Sequence, residues 1–182
     1  MNYFSDLEGL RIAVDIEKNG FEFYQKAYER TSNLEHKLLL GFLMQEESNH
    51  AAQFQAIYEK LKQNKTTSDE EYLYDAEVSR YLQVLVEALI FPQNNPFADN
   101  PELANGVLAS GWQRQTPGEN ATDKVNLSTI LRIALQAEKD SILFYDEMVK
   151  NARFPEAKQI FAQFKAEEQT HVEKIQAMIR TL

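Results

Sequence analysis

The sequence predicts an all-α protein: a four-helix bundle made of two similar helical hairpins, joined by a long crossover that contains an additional helix. Three observations predict it. Apolar residues recur at three- and four-residue steps in long, charged segments, the period of one helix face. The chain is rich in Ala, Leu, Glu, Gln and Lys and holds only 6 Gly and 5 Pro, a balance that favours helix. It also repeats itself. Gln45-Glu46-Glu47-Ser48-Asn49-His50 returns as Ala166-Glu167-Glu168-Gln169-Thr170-His171, an offset of 121 residues (47 to 168, 50 to 171). Arg11-Ile12-Ala13-Val14-Asp15-Ile16-Glu17-Lys18 returns at the same offset as Arg132-Ile133-Ala134-Leu135-Gln136-Ala137-Glu138-Lys139, and Phe23-Tyr24 as Phe144-Tyr145. An internal duplication follows, with copies at 5–62 and 126–182, a crossover at 63–125, and one domain over 1–182.

The first helix is expected from about Asp6 to Arg30. Ser5 and Glu8 fit a capping box, and Leu10, Ala13, Val14, Glu17, Phe21, Tyr24 and Tyr28 form one face. The second runs to about Lys62, with Ser32 and Glu35 as its capping pair. Its inner face is Leu40, Leu43, Glu47, His50, Phe54, Ile57 and Leu61. Polar residues 64–68 break the pattern, and Ser68 with Glu71 would cap a third helix from about Asp69 to Phe91. Such a helix would be roughly 35 Å long, enough to carry the chain back along the bundle. Its Val78, Val84 and Ile90 lie on a different side from Leu82 and Leu89, so it is expected to serve two partners and to form a homodimer.

Pro92, Pro96, Pro101 and Pro117-Gly118 mark an irregular stretch up to about Val125, with Trp112 as an anchor. The fourth helix is expected from about Leu127 to Asn151, with Leu131, Ala134, Leu135, Glu138, Ile142, Tyr145 and Val149 facing inward. Pro155 opens the fifth, where its missing N–H costs nothing. Phe161, Phe164, Glu168, His171, Ile175 and Met178 line its inner face. Met44, Met148 and Met178 read as core filler, and His36 as a surface residue.

The charged interruptions carry the chemistry. Glu17, Glu47, Glu138 and Glu168 sit on apolar faces, where an ionised carboxylate is costly unless paired or coordinated. Residues three apart share a side of a helix, so His50 joins Glu47 and His171 joins Glu168. Four carboxylates are balanced by two divalent cations with both imidazoles neutral. Oxygen and imidazole donors without thiolate suit iron or manganese and tolerate zinc. A lone Glu-x-x-His on a helix is usually a surface feature. Six such residues recurring in register on four apolar faces are a ligand set.

Tyr24 and Tyr145, seven residues beyond Glu17 and Glu138, share their faces and are candidates to donate hydrogen bonds to ligating carboxylates. The alternative is that they are core aromatics satisfied elsewhere. Glu46 and Glu167, four before each His, are left as outer groups around the ligands or as solvent-facing residues.

Glu17, Glu47-x-x-His50, Glu138 and Glu168-x-x-His171 resemble the ligand set of the ferritin-like di-iron carboxylate proteins, across all four bundle helices. Within that group the chain is most similar to the rubrerythrin family. The resemblance implies a ferritin-like bundle, two iron ions, bridging roles for Glu47 and Glu168, and terminal roles for Glu17 and Glu138. Three features depart from the family. There is no Cys for a rubredoxin-type iron domain. Ser141, matched by Gly20 in the first half, stands where rubrerythrins carry an additional Glu. The crossover is longer than in storage ferritins.

Net charge −9 opposes nucleic acid and anionic membranes, and the densest apolar run, Leu38 to Met44, is too short to cross a bilayer. No secretory pattern opens the chain, so a soluble cytoplasmic protein is expected. The expected activity is that of a non-haem di-iron oxidoreductase acting on H2O2 or O2, a rubrerythrin-like peroxidase taking electrons from an external donor protein. The alternative is a ferroxidase or iron-storage protein, and a third reading is a structural bundle holding zinc or no metal.

Overall fold

In the computed structural model, residues 4–63, 73–89 and 119–182 are described. Helix α1 (Asp6–Arg30) opens as its sequence dictates: the Ser5 hydroxyl accepts from the Glu8 amide at 3.2 Å, with Asp6 and Glu8 in the first turn. Both acids favour the positive end of the helix dipole. Helix α2 (Leu34–Gln63) follows a three-residue turn. Its cap is Asn33, not the expected Ser32. The Asn33 side-chain oxygen accepts from the amides of Glu35 at 2.9 Å and His36 at 3.3 Å. His36 also departs from expectation, being 7 % exposed, because it folds under the turn with Nδ1 3.4 Å from the Thr31 hydroxyl.

Helix α3 (Ala76–Leu89) is shorter at its start than expected, because residues 73–75 are not helical and Leu73 is drawn into a bridge. Leu73 pairs with Ser5, and the Tyr74 amide donates to the Phe4 carbonyl at 2.8 Å. Asp75 then caps α3, accepting from the Val78 amide at 2.9 Å. The expected Ser68–Glu71 cap, the Pro-rich stretch over 90–118 and Trp112 lie outside the described residues. Helix α4 (Glu119–Asn151) begins eight residues before the expected Leu127. Those residues lack an apolar stripe, but adding residues to an established helix costs little once a nucleus exists. Helix α5 (Pro155–Thr181) begins at Pro155 as expected.

α1 packs along α2 and α4 along α5, and the two hairpins meet through α1 with α4 and α2 with α5. Both inter-hairpin contacts are antiparallel: Tyr24 meets Glu138 where Glu17 meets Tyr145, and Glu47 meets His171 where His50 meets Glu167. α3 lies against α4. The apolar interior falls into two clusters. One holds Leu10, Phe54, Phe144 and Phe161, and the other Phe23, Leu40, Leu43, Leu131 and Ile175. Each fully buried large side chain stabilises the fold by about 2 kcal/mol. Between the clusters in chain position lies the polar layer of Glu17, Glu47, His50, Glu138, Glu168 and His171. The fold is therefore a four-helix bundle with an additional crossover helix. No described helix is long and apolar enough to cross a membrane.

Asp6 joins three separate segments. It is 1 % exposed, and its carboxylate accepts from the Tyr74 hydroxyl and from the amides of Arg153 at 2.9 Å and Phe154 at 2.7 Å. The start of α1, the approach to α3 and the α4–α5 turn are thus tied at one carboxylate.

Candidate metal centre

Each helix of the bundle delivers its polar residues from mid-length, where backbone ladders on both sides hold the side chains in place. α1 supplies Glu17, α2 supplies Glu47 and His50, α4 supplies Glu138, and α5 supplies Glu168 and His171. All six are 1–2 % exposed. The structure brings all six together. Their ligand atoms fall into two groups, each within 4.8 Å: Glu17, His50 and Glu168, and Glu47, Glu138, Glu168 and His171. Glu168 belongs to both. Its Oε1 lies 2.9 Å from His50 Nδ1 and its Oε2 2.7 Å from His171 Nδ1. Glu47 lies in the second group, with Oε1 3.9 Å from His171 Nδ1. The two imidazoles are nearly parallel, 5.5 Å apart.

The donor chemistry fits a pair of cations. Glu47 Oε1, both oxygens of Glu168 and His171 Nδ1 are buried without a hydrogen-bond partner. Orphaned acceptors of this kind are costly in a protein interior unless something else coordinates them. Here the carboxylate oxygens and imidazole nitrogens converge on shared points. Four carboxylates and two imidazoles, without sulfur, are the donor set of iron or manganese, with zinc tolerated.

Electrostatics say the same. Burial, then the carboxylates of Glu17, Glu138 and Glu168, push Glu47 well above the usual carboxylate range. Burial and Glu168 raise Glu138 to about 8, against an opposing pull from His171. Burial opposes Glu168 as a carboxylate, as does Glu17, yet the His171 and His50 imidazoles hold it low. Burial would lower both imidazoles, but Glu168 and Glu17 outweigh it at His50, held up at about 11, and Glu138 and Glu168 at His171, at about 10. Without cations the cluster has to retain protons on Glu47, Glu138 and both imidazoles. Cation uptake at pH 7 is therefore expected to release the imidazolium protons and those of Glu47 and Glu138, and apparent affinity is expected to fall as pH falls. A pH dye in weak buffer checks this during a metal titration. Uptake with no acidification would contradict this charge balance.

The tyrosines close the α1/α4 side. The Tyr145 hydroxyl donates to Glu17 and the Tyr24 hydroxyl to Glu138, a crossed and symmetric pair. Burial and the same carboxylates raise both phenols well above their usual value, so they stay protonated donors at neutral pH. Glu167, left open between outer and solvent-facing roles, reaches across to the other hairpin, with Oε2 2.9 Å from His50 Nε2. With hydrogen on Nε2, His50 donates to Glu167 and turns the Nδ1 lone pair toward Glu17 and Glu168. Sequence reasoning did not reach this contact. Its signal was the Glu-Glu doublet present in both copies, at 46–47 and 167–168. Phe164 packs on His50 with ring centroids 4.3 Å apart.

The family model for Rubrerythrin matches residues 108–179. A crystal structure from Thermotoga maritima, of a protein described as a ferritin-like diiron-carboxylate protein, superposes with a TM-score of 0.60. It covers 99 % of this chain and 97 % of that one at 19 % identity. Residues 108–179 are thus similar to the rubrerythrin family, and the fold of the chain is ferritin-like. No curated protein matches it significantly in sequence. The family match covers the second copy with Glu138, Glu168 and His171. Glu17, Glu47 and His50 lie outside it and are reached by the repeat and by the bundle that packs the copies face to face. At Ser141 the hydroxyl turns back to the Ala137 carbonyl of its own helix at 3.1 Å.

Proposed function

We propose that the protein is a di-iron oxidoreductase that reduces hydrogen peroxide in preference to O2, drawing electrons from a separate donor protein. The observation that carries this reading is the buried cluster of four carboxylates and two imidazoles, with Glu168 common to both halves. Two bound iron(II) ions would supply a paired reductant and Lewis acidity beside the O–O bond. Peroxide takes two electrons and two protons and leaves as water. The chain's own residues organise the rest. Tyr24 and Tyr145 fix the Glu138 and Glu17 carboxylates, and Glu167 fixes the His50 ring. The two apolar clusters keep bulk water from the layer between them. Gly20 and Ser141 put small side chains on α1 and α4 one turn from Glu17 and Glu138, leaving room for a small oxidant.

Stopped-flow mixing of the anaerobic iron(II)-loaded protein with each oxidant tests the preference. Oxidation is expected to be faster with H2O2 than with O2, and peroxidase turnover is expected with reduced rubredoxin as donor. Faster oxidation by O2, followed by iron accumulating beyond the two sites, would make the protein a ferroxidase instead.

The reading includes a homodimer formed through α3. Leu82 is fully buried and Val78 packs on the core, whereas Tyr81 is 50 % and Val84 60 % exposed on the outer side. Light scattering at micromolar concentration is expected to give twice the chain mass. A monomer would remove the dimer, and a 24-subunit shell would favour storage.

A further inference from the structure

The side of the cluster opposite the tyrosines is built differently. Between α2 and α5 the buried imidazoles give way to two partly exposed carboxylates, Glu46 and Glu167, related by the repeat. One ligand atom each from Glu46, His50 and His171 lies within 4.8 Å of the others, a third group outside the two inner ones. Glu167 stands across from it, one oxygen on His50 Nε2 and the other accepting from Gln163 Nε2 at 2.9 Å. Glu46 has no hydrogen-bond or ion-pair partner among the described residues. Lys174, one turn beyond His171, is held away over the Phe42 ring, its Nζ 3.8 Å from the centroid. Phe42 in turn sets its ring against His171, centroids 6.1 Å apart.

We infer that Glu46 and Glu167, beside the imidazoles of His50 and His171, form a capture site for divalent cations, through which the buried centre is filled. The inference rests on the metal-centre reading above. The α1/α4 side is sealed by Tyr24 and Tyr145, both fully buried, so a hydrated cation has no polar approach there. On the α2/α5 side it meets two carboxylates that replace part of its water shell. It then meets imidazoles that are also walls of the inner groups, so transfer inward is a local ligand exchange. An unpaired carboxylate at a partly exposed mouth also concentrates cations. Such focusing raises capture rates by about ten- to a thousandfold and weakens with salt.

The test is stopped-flow loading of the metal-free full chain with cobalt(II), followed by its d–d absorption. Glu46→Gln and Glu167→Gln are compared with the wild type and with Glu22→Gln, a remote exposed carboxylate on α1. The loading rate constant is expected to fall about tenfold in Glu46→Gln and Glu167→Gln and to stay unchanged in Glu22→Gln. Cobalt per chain at saturation is expected to remain that of the wild type in Glu46→Gln. Salt is expected to slow the wild type more than Glu46→Gln. Equal loading rates in all four proteins would overturn the capture site. So would a change confined to the rate of cobalt loss to a chelator, since the two carboxylates would then only steady the imidazoles. A wild-type chain that takes up no cobalt would remove the metal centre itself, a failure distinct from either.

Discussion

Glu168→Ala is expected to empty both halves of the centre, taking bound metal from about two ions per chain to near none at micromolar free metal. Its two oxygens lie 2.9 and 2.7 Å from the Nδ1 atoms of His50 and His171, and it is the one residue shared by both inner groups. Removing a group that only supports a ligand typically costs 10- to 100-fold in affinity, and loss of a shared ligand is expected to exceed that. His171→Ala deletes a group on one side alone, so about one ion should remain. Elemental analysis after anaerobic loading reads both. Thermal melts give a second readout, because metal at a hundred times its Kd stabilises the wild type by about 2.7 kcal/mol, and this gain should vanish in Glu168→Ala. Far-UV circular dichroism confirms that the bundle persists. A Glu168→Ala protein that keeps the wild-type metal content would refute the shared-ligand assignment.

Asp6→Ala is expected to be the most destabilising substitution outside the centre, at about 4 kcal/mol. The buried carboxylate accepts from the Tyr74 hydroxyl and the Arg153 and Phe154 amides, and hydrogen bonds to a charged acceptor contribute about 1.5–3 kcal/mol each. Alanine removes the acceptor that three donors share at a junction of three segments. Asn retains one acceptor oxygen and is expected to cost less. Urea unfolding followed by circular dichroism gives both values from the midpoints. A loss below about 1 kcal/mol for Asp6→Ala would mean that the junction is held by the Phe4 and Tyr74 packing instead.

Much of this protein was legible in its sequence, and the reason is that helices are local. The period of apolar residues, the Ser5 cap and Pro155 act within a few residues, so α1 and α5 begin where the sequence places them. The repeat carried the pairing one step further: two copies of one hairpin, each with a carboxylate and a Glu-x-x-His on its inner face, have one economical way to bury those faces. α3 was misplaced because its start is decided by residues far away in sequence. Phe4 and Ser5 draw residues 73 and 74 into extended pairing, and no window around Ser68 contains that information. His36 was read as surface for a similar cause, since its cover comes from the turn folding over it.

Which residues gather at the centre was thus written in the chain, while how their atoms divide was decided only by packing. That Glu168 touches both imidazoles while Glu47 leans toward His171 depends on the offset and angle between α2 and α5. The crossing of Tyr24 to Glu138 and Tyr145 to Glu17, and the reach of Glu167 to His50, depend on the antiparallel register of opposite hairpins. A sequence period specifies the direction of a side chain around its own helix to within tens of degrees. The partner of a carboxylate oxygen is settled by shifts of about an ångström between helices, and those are set by the fit of Phe54, Phe144, Phe161 and the rest of the interior.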